Sequence, residues 1–410
     1  MPADLGRPAM VTQAPQLNKR NKASFAGRQS HLRPEGAYEV MARSQELEAT
    51  GRDIVHLEAG EPDFNGPPNA SLAGIRAIAS GQTRYLPPAG LTSLREIIAD
   101  VAGKRRGINI SPRQVLISPG AKPAMFFPTL ALVEPGDEVV YPDPGFPTYE
   151  AMLRVAGGIP KPVPLLESKA FSFDLDAFDR VVNDRTRMII LNSPSNPTGG
   201  VIPTKDMRHI ADAARRYDCW ILSDEIYNQI IFDGLSATSI ASLPGMAERS
   251  VIVDGFSKTY AMQGWRLGYG IMPEPLAERV RLFYTHAFGC TAHASQIAAV
   301  EALTGPQDHV TMMVEQYQRR REIIVDGLNK LPGVHCLKPQ GAFYAFPNIQ
   351  KTGKSSQEIA NLFLDYGVAV LPGTAFGKYG EGYLRLSYAN SIPNIQRALE
   401  RMDKALKSLN

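Results

Sequence analysis

Between Thr83 and Ile271 the chain alternates short apolar runs with longer segments of helical spacing. Val115-Leu116-Ile117-Ser118, Glu138-Val139-Val140-Tyr141, Met188-Ile189-Ile190-Leu191, Trp220-Ile221-Leu222-Ser223, Val251-Ile252-Val253 and Leu267 to Ile271 read as buried strands. Leu91 to Arg106, Ala121 to Val133, Thr148 to Val155 and Lys205 to Tyr217 carry the helical pattern between them. Short apolar strands alternating with helices predict an α/β fold, its mostly parallel sheet covered by helices. After Pro273 the pattern changes to long helices (Pro275 to Ala287, Ala294 to Leu303, Val310 to Leu331). Strands near Phe343 to Phe346, Val368 to Val370 and Tyr383 to Tyr388 follow, then a closing helix. The expectation is a large α/β domain over residues 61–285, then linking helices and a smaller α+β domain over 286–410. Residues 31–60 are expected to pack on the smaller domain, and residues 1–30 to form a mobile arm.

Composition narrows the function classes. With 44% hydrophobic and 21% charged residues the chain reads as globular, and a net charge of +3 over 410 residues makes no electrostatic case for a nucleic-acid partner. The basic runs Lys104-Arg105-Arg106 and Arg319-Arg320-Arg321 sit on helical patterns and read as solvated faces. No apolar stretch approaches the ~20 residues of a membrane span. Three widely separated cysteines suggest neither a disulfide framework nor a zinc site, and the histidines form no metal-binding pattern. These features point to a reducing, cytoplasmic setting. Residues 1–30 lack the apolar core of a secretory signal; with Asp4 their one acidic residue, a transit peptide stays open beside the mobile arm.

Ligands of an open parallel sheet bind at the carboxyl ends of its strands, and polar motifs stand at those predicted ends. Lys258, in Gly255-Phe256-Ser257-Lys258-Thr259-Tyr260, follows a β-branched run. A lysine held there out of bulk water loses preference for its charged form and becomes a nucleophile. The cofactor that needs such an amine is pyridoxal phosphate, carried as a Schiff base with its phosphate anchored nearby. Ser257 and Arg266 suit that anchoring. Asp224 is the candidate to hold the pyridine nitrogen protonated, Asn196 and Tyr227 to hold the phenolic oxygen, and Phe146 to stack on the ring. Ser118-Pro119-Gly120-Ala121-Lys122 opens a helix whose free N–H groups suit a phosphate. Arg385, between apolar neighbours on a strand, suits a bidentate grip on a substrate carboxylate. Each residue alone also reads as a turn, a cap, a core ring or a structural ion pair. Their order and shared position at strand ends carry the functional reading.

These motifs make the chain resemble the class I/II aminotransferases of pyridoxal-phosphate fold type I, of aspartate aminotransferase-like kind, from about His31 onward. The stretches that carry the likeness are A-G-E-P-D-F (59–64), T-R-Y-L-P-P-A-G-L (83–91), P-G-A-K (119–122), P-G-F-P-T-Y-E (144–150), N-P-T-G (196–199), S-D-E-I-Y (223–227), S-K-T-Y-A-M (257–262), G-W-R-L-G (264–268) and L-R-L-S-Y-A (384–389). The resemblance implies that Lys258 moves the proton between Cα and the cofactor, and that an L-amino acid passes its amino group to a 2-oxo acid by a ping-pong route. It implies phosphate ligands at the backbone of Ala121 and Lys122, and on Ser257, Arg266 and Tyr85. Tyr85 would reach across from a second subunit, so the active unit would be a homodimer. Asn196 and the backbone of Gly60 would assist Arg385. Lys122 would pair with the distal carboxylate of aspartate or glutamate, with 2-oxoglutarate as acceptor, or merely add charge beside the phosphate. Two stretches depart from the family pattern: Gln263 replaces a small hydroxyl residue, and His286-Ala287-Phe288-Gly289-Cys290 replaces a more polar run. A fold type I enzyme of another reaction type, such as a β-lyase or a specialised biosynthetic enzyme, is the alternative. A cofactor-binding regulator would need a helix-turn-helix module, which the short segment before His31 cannot house.

Overall fold

The computed structural model of the chain describes Gly27, Leu32 and residues 36–409. Apart from Gly27, the arm expected over residues 1–30 lies outside the described residues. Thirteen strands are described: β1 (Val55–His56), β2 (Val115–Ser118), β3 (Glu138–Asp143), β4 (Ile159–Leu166), β5 (Ser172–Phe173), β6 (Thr186–Asn192), β7 (Trp220–Asp224), β8 (Ser250–Gly255), β9 (Gly268–Ile271), β10 (Tyr344–Ala345), β11 (Val368–Ala369), β12 (Leu371–Pro372) and β13 (Leu384–Ser387). Eight of them form one sheet in the order β2-β9-β8-β7-β6-β3-β4-β5. Its centre, β8-β7-β6-β3-β4, is parallel, as the sequence predicts. β9 runs against both of its neighbours, and β5 runs against β4.

The central strands are apolar on both sides because helices cover both sides. Met188, Ile190, Leu222, Val251 and Val253 pack with Met125, Met152 and Val280 on one face. The alternate residues Ile189, Leu191 and Ile221 pack with Met207, Ile210 and Ala214 on the other. Opposed to β9, β2 points the same way as β8. Five chain segments therefore leave the sheet at one edge: the loops after β3, β6, β7 and β8, and the turn from β2 into the helix Ala121–Leu132.

A second core gathers the C-terminal half, where helices Asp308–Leu328, Ser356–Asp365 and Ile392–Lys407 surround the antiparallel ribbon β10-β13-β12. The N-terminal segment joins it through parallel pairing of β1 with β11, Val55 opposite Val368. Arg385 sits on β13 opposite Leu371, and this ribbon carries it to the edge where the large sheet ends. Among the described residues, no helix is long and apolar enough to cross a membrane.

The two basic runs correct the sequence reading. Lys104 is exposed, but Arg106 is buried, and Arg320 and Arg321 are buried as well. Helical spacing gives the reason. Arg106 shares a face with Ala99, Ala102 and Gly103, all buried, and Arg321 shares one with Tyr317, Ile324 and Leu328. A buried guanidinium needs anionic partners. Arg106 finds Glu225 and Asp254, Arg320 finds Asp63, and Arg321 finds Asp233.

Candidate active site

Lys258 lies three residues past the end of β8, in a turn that aims its ammonium at the carbonyl of Gly60, to which it donates. The Phe343 and Tyr227 ring centroids are 5.6 and 6.0 Å from Nζ. Burial is the main reason its amine is lowered to about 8, and the Arg385 guanidinium adds to the shift. Gly60 has no room for a side chain. A Cβ there would stand 2.7 Å from the Tyr344 hydroxyl and 3.3 Å from Arg385 Nη1. The segment that follows Gly60 is fastened at two adjacent residues: Asp63 accepts from Arg320 at 2.7 Å, and Gln263 Nε2 donates to the Pro62 carbonyl at 3.2 Å.

Asp224 ends β7 and is 5% exposed. The Tyr149 hydroxyl donates to its Oδ2 at 2.8 Å and the Ile226 N–H to its Oδ1 at 3.2 Å. Burial nonetheless dominates and pushes its carboxyl up to about 6. Asn192 links the neighbouring strand end, donating to the Asp224 carbonyl at 3.0 Å and accepting the Asn196 N–H at 2.8 Å. That fixes the backbone of Asn196, whose buried side-chain oxygen has no hydrogen-bond partner among the described residues. Tyr227 shares a 2.7 Å bond with the Tyr344 hydroxyl, and burial raises its phenol far above the ordinary range.

Gly120 adopts φ 91°, a conformation that favours glycine, and caps the helix Ala121–Leu132. The amides of Ala121 and Lys122 lie in the first turn, where an α-helix offers no internal acceptor. Arg266 is beside them: a Cβ on Gly120 would stand 2.4 Å from its Nη2. Its Nη1 donates to the Gln263 carbonyl at 2.8 Å. Two amides at a positive helix end beside a guanidinium form an anion cradle. Half-buried Ser257 adjoins Lys258 in the turn after β8. Lys122 lies 5.3 Å from the Phe146 ring centroid. Arg385, 3% exposed, donates to the Glu58 carbonyl and lies 4.7 and 5.2 Å from the Tyr344 and Phe376 ring centroids. Beside this cluster opens a crevice of about 1090 Å³, lined by Phe146 and Phe376 on the near side and by Glu39 and Arg43 of helix Gly36–Ala49 opposite.

One predicted residue is set apart from the others. Tyr85 is 95% exposed. The unusual stretch ending at Cys290 meets the chain beside it, Sγ accepting the Leu86 N–H at 3.3 Å. Four residues in the cluster had drawn no role from sequence: Tyr149, Asn192, Tyr344 and Arg106. Tyr149 lies within a quoted motif, but on a helix it reads as an ordinary core ring. Tyr344 is hidden in the apolar run Phe343 to Phe346.

The Lys258 amine is expected to lose its proton near pH 8, against about 10.4 for an ordinary lysine. Acetic anhydride labelling of the cofactor-free protein, followed by peptide mass spectrometry, should show Lys258 becoming reactive between pH 7 and 9, ahead of the surface lysines. Co-titration with Lys104 would refute it.

The family model for aminotransferase class I and II matches residues 52–402. The chain is 40% identical to an aspartate aminotransferase of Pyrococcus abyssi, covering 88% of this chain and 94% of that one. It is also 40% identical to an aromatic-amino-acid aminotransferase of Thermococcus litoralis, over 86% and 92% of the two chains. Among solved structures, the aspartate aminotransferase of Thermus thermophilus with maleate superposes with a TM-score of 0.89 at 34% identity, over 93% of this chain and 99% of that chain. The half-buried lysine and the buried carboxylate at adjoining strand ends, the anion cradle and the near-complete coverage agree. This chain is a class I/II aminotransferase of fold type I, an enzyme that transfers amino groups.

Proposed function

We propose that the enzyme uses pyridoxal phosphate and moves an amino group from an L-amino acid to a 2-oxo acid in two half-reactions, with aspartate-type donors and 2-oxoglutarate as acceptor. The observation that carries this reading is half-buried Lys258, its amine lowered to about 8 by desolvation, beside a buried carboxylate and an anion cradle. The residues present fit that cofactor. The amides of Ala121 and Lys122 with Arg266 and Ser257 would take its phosphate, Asp224 its ring nitrogen, Asn196 and Tyr227 its phenolic oxygen, and Phe146 a face of its ring. The unpartnered side-chain oxygen of Asn196 agrees with a polar group missing from the protein alone. When bound, pyridoxal phosphate supplies an electron-accepting ring that acidifies the substrate Cα–H and stores the amino group between half-reactions.

The chain's own residues do the rest. Lys258, neutral at mildly alkaline pH, takes the Cα proton and returns it to the cofactor side. Arg385, held by the Glu58 carbonyl and two aromatic faces, grips the substrate α-carboxylate, with Asn196 and the Gly60 backbone assisting. Its positive charge also lowers the Lys258 amine, so the base is neutral when needed. Lys258→Ala is expected to abolish both amino transfer and the near-visible absorbance of the lysine-bound cofactor. Retained turnover would rule out Lys258 as the base.

Donor choice falls to Lys122. Relatives of equal identity are named for aspartate and for aromatic amino acids, so overall likeness does not decide it. The Lys122 ammonium lies over the Phe146 ring, which lines the crevice, and this nearness supports a role toward a second substrate carboxylate. The dicarboxylate maleate in the Thermus thermophilus structure supports this reading. Lys122→Gln is expected to lower kcat/KM for aspartate and 2-oxoglutarate about 10- to 100-fold, the worth of one charge-assisted hydrogen bond. Phenylalanine and alanine should change little as donors. Equal losses for all donors would assign Lys122 to the phosphate instead.

We infer a homodimer from a helix with two apolar sides. Helix Pro68–Ala79 buries Ala70, Ala73, Gly74 and Ala77, yet Leu72, Ile75 and Ile78 are 54–61% exposed at a spacing of three. With Tyr85, they form a surface that a second copy would cover, bringing Tyr85 of the partner subunit to the cradle. Ile75→Asp is expected to give monomers in analytical ultracentrifugation and to weaken cofactor retention. A stable dimer of the Ile75→Asp variant would move the interface elsewhere.

A further inference from the structure

Asp224 is buried among charges of its own sign. Glu225 follows it at the end of β7, Asp254 lies on the adjoining β8, and all three carboxylates are 2–5% exposed. Each neighbour makes ionisation of Asp224 harder, adding to the effect of burial. A single guanidinium answers both neighbours. Arg106 Nε donates to Glu225 Oε2 at 2.7 Å, and its Nη2 donates to Asp254 Oδ2 at 2.8 Å. Among the described residues the other donors to these two carboxylates are neutral: Ser223 and Ser239 to Glu225, and Asn228, Tyr269 and the Gly255 N–H to Asp254.

Arg106 comes from the last turn of helix Thr92–Arg106, behind the sheet edge, and acts on the site through Glu225 and Asp254. We propose that Arg106 is a positioning residue: by neutralising Glu225 and Asp254 it keeps Asp224 ionised, and so keeps the shared proton on the cofactor's ring nitrogen instead of on Asp224. The inference rests on the reading of Asp224 as that nitrogen's partner.

The sign follows from where the charges sit. With the proton on the ring, the negative end of the pair is on Asp224, nearest the acidic cluster. With the proton on Asp224, both members are neutral. Unanswered negative charge beside Asp224 therefore favours the second arrangement. The other groups facing Asp224 stay in place when Arg106 changes: the Tyr149 phenol from helix Thr148–Ala156, the Tyr227 phenol, the Tyr344 phenol from β10 and the Lys258 amine.

The test is the nitrogen chemical shift of pyridoxal phosphate, labelled with nitrogen-15 in its ring and bound to the full-length enzyme at fixed pH. Arg106→Gln is expected to move that shift toward the unprotonated value and to weaken cofactor binding about tenfold, the change equivalent to one pKa unit. Adding Asp254→Asn to Arg106→Gln restores the charge balance and should return both readouts toward wild type. A purely structural role predicts the opposite, because the double variant loses a further acceptor and melts lower with no recovery of the shift. Arg106→Lys keeps the charge and should keep the ring proton at a lower melting temperature; loss of that proton in the lysine variant overturns the proposal. An unchanged shift in Arg106→Gln, with a changed one in Asp224→Asn, also overturns it. If Asp224→Asn itself leaves the nitrogen protonated, the assignment of Asp224 falls, and that result is separate from any result at Arg106.

Discussion

The site depends on one constraint: an amine and a carboxylate are held at adjoining strand ends where water stabilises neither ion. Burial pushes Lys258 down to about 8 and Asp224 up to about 6, so the two groups converge on neutrality from opposite sides. The remaining architecture maintains that arrangement. The parallel strands bring both residues to one edge, Tyr149 and Ile226 restrain Asp224, and Gly60 receives Lys258. An enzyme that moves protons at carbon needs groups poised in this way, and burial supplies the poise.

Legibility varied with distance along the chain. The central strands could be read directly, because a strand covered on both faces is apolar throughout: Met188 to Leu191 and Val251 to Val253 are examples. Lys258, Asp224 and Asn196 stood out as polar residues at or just past the end of an apolar run, and Arg385 as a cation between apolar neighbours on a strand. Tyr149 and Tyr344 did not, since an aromatic ring in an apolar context gives no sign of where its hydroxyl points. The reversed direction of β9 was equally hidden, for a short buried strand reads the same whichever way it runs. The basic runs failed for a different reason. Three adjacent cations look like a solvated surface, but a helix turns about 100° per residue, and Arg106 and Arg321 fall on the inner side.

Those buried arginines share one task at different places. Arg320 fixes Asp63 and so the segment bearing Gly60, Arg321 fixes Asp233 beyond the loop after β7, and Arg106 fixes the carboxylates behind Asp224. Each joins parts of the chain that are far apart in sequence, and Arg106 and Arg321 do so with a forked or bidentate geometry that lysine lacks. The reactive groups are thus held by a charged frame lying one layer deeper than the residues that would touch substrate.

The pairing of β1 with β11 has a consequence for how the protein comes into being. Val55 is made long before Val368, its partner in the pairing, and Gly60 is made long before Arg385. On a ribosome that emits the chain from its N-terminus, the large sheet can be complete while β1 still has nothing to pair with. The first described strand is therefore among the last to be seated, and its seating draws Gly60 over Lys258. Closure over the reactive lysine in this way waits on the making of β11.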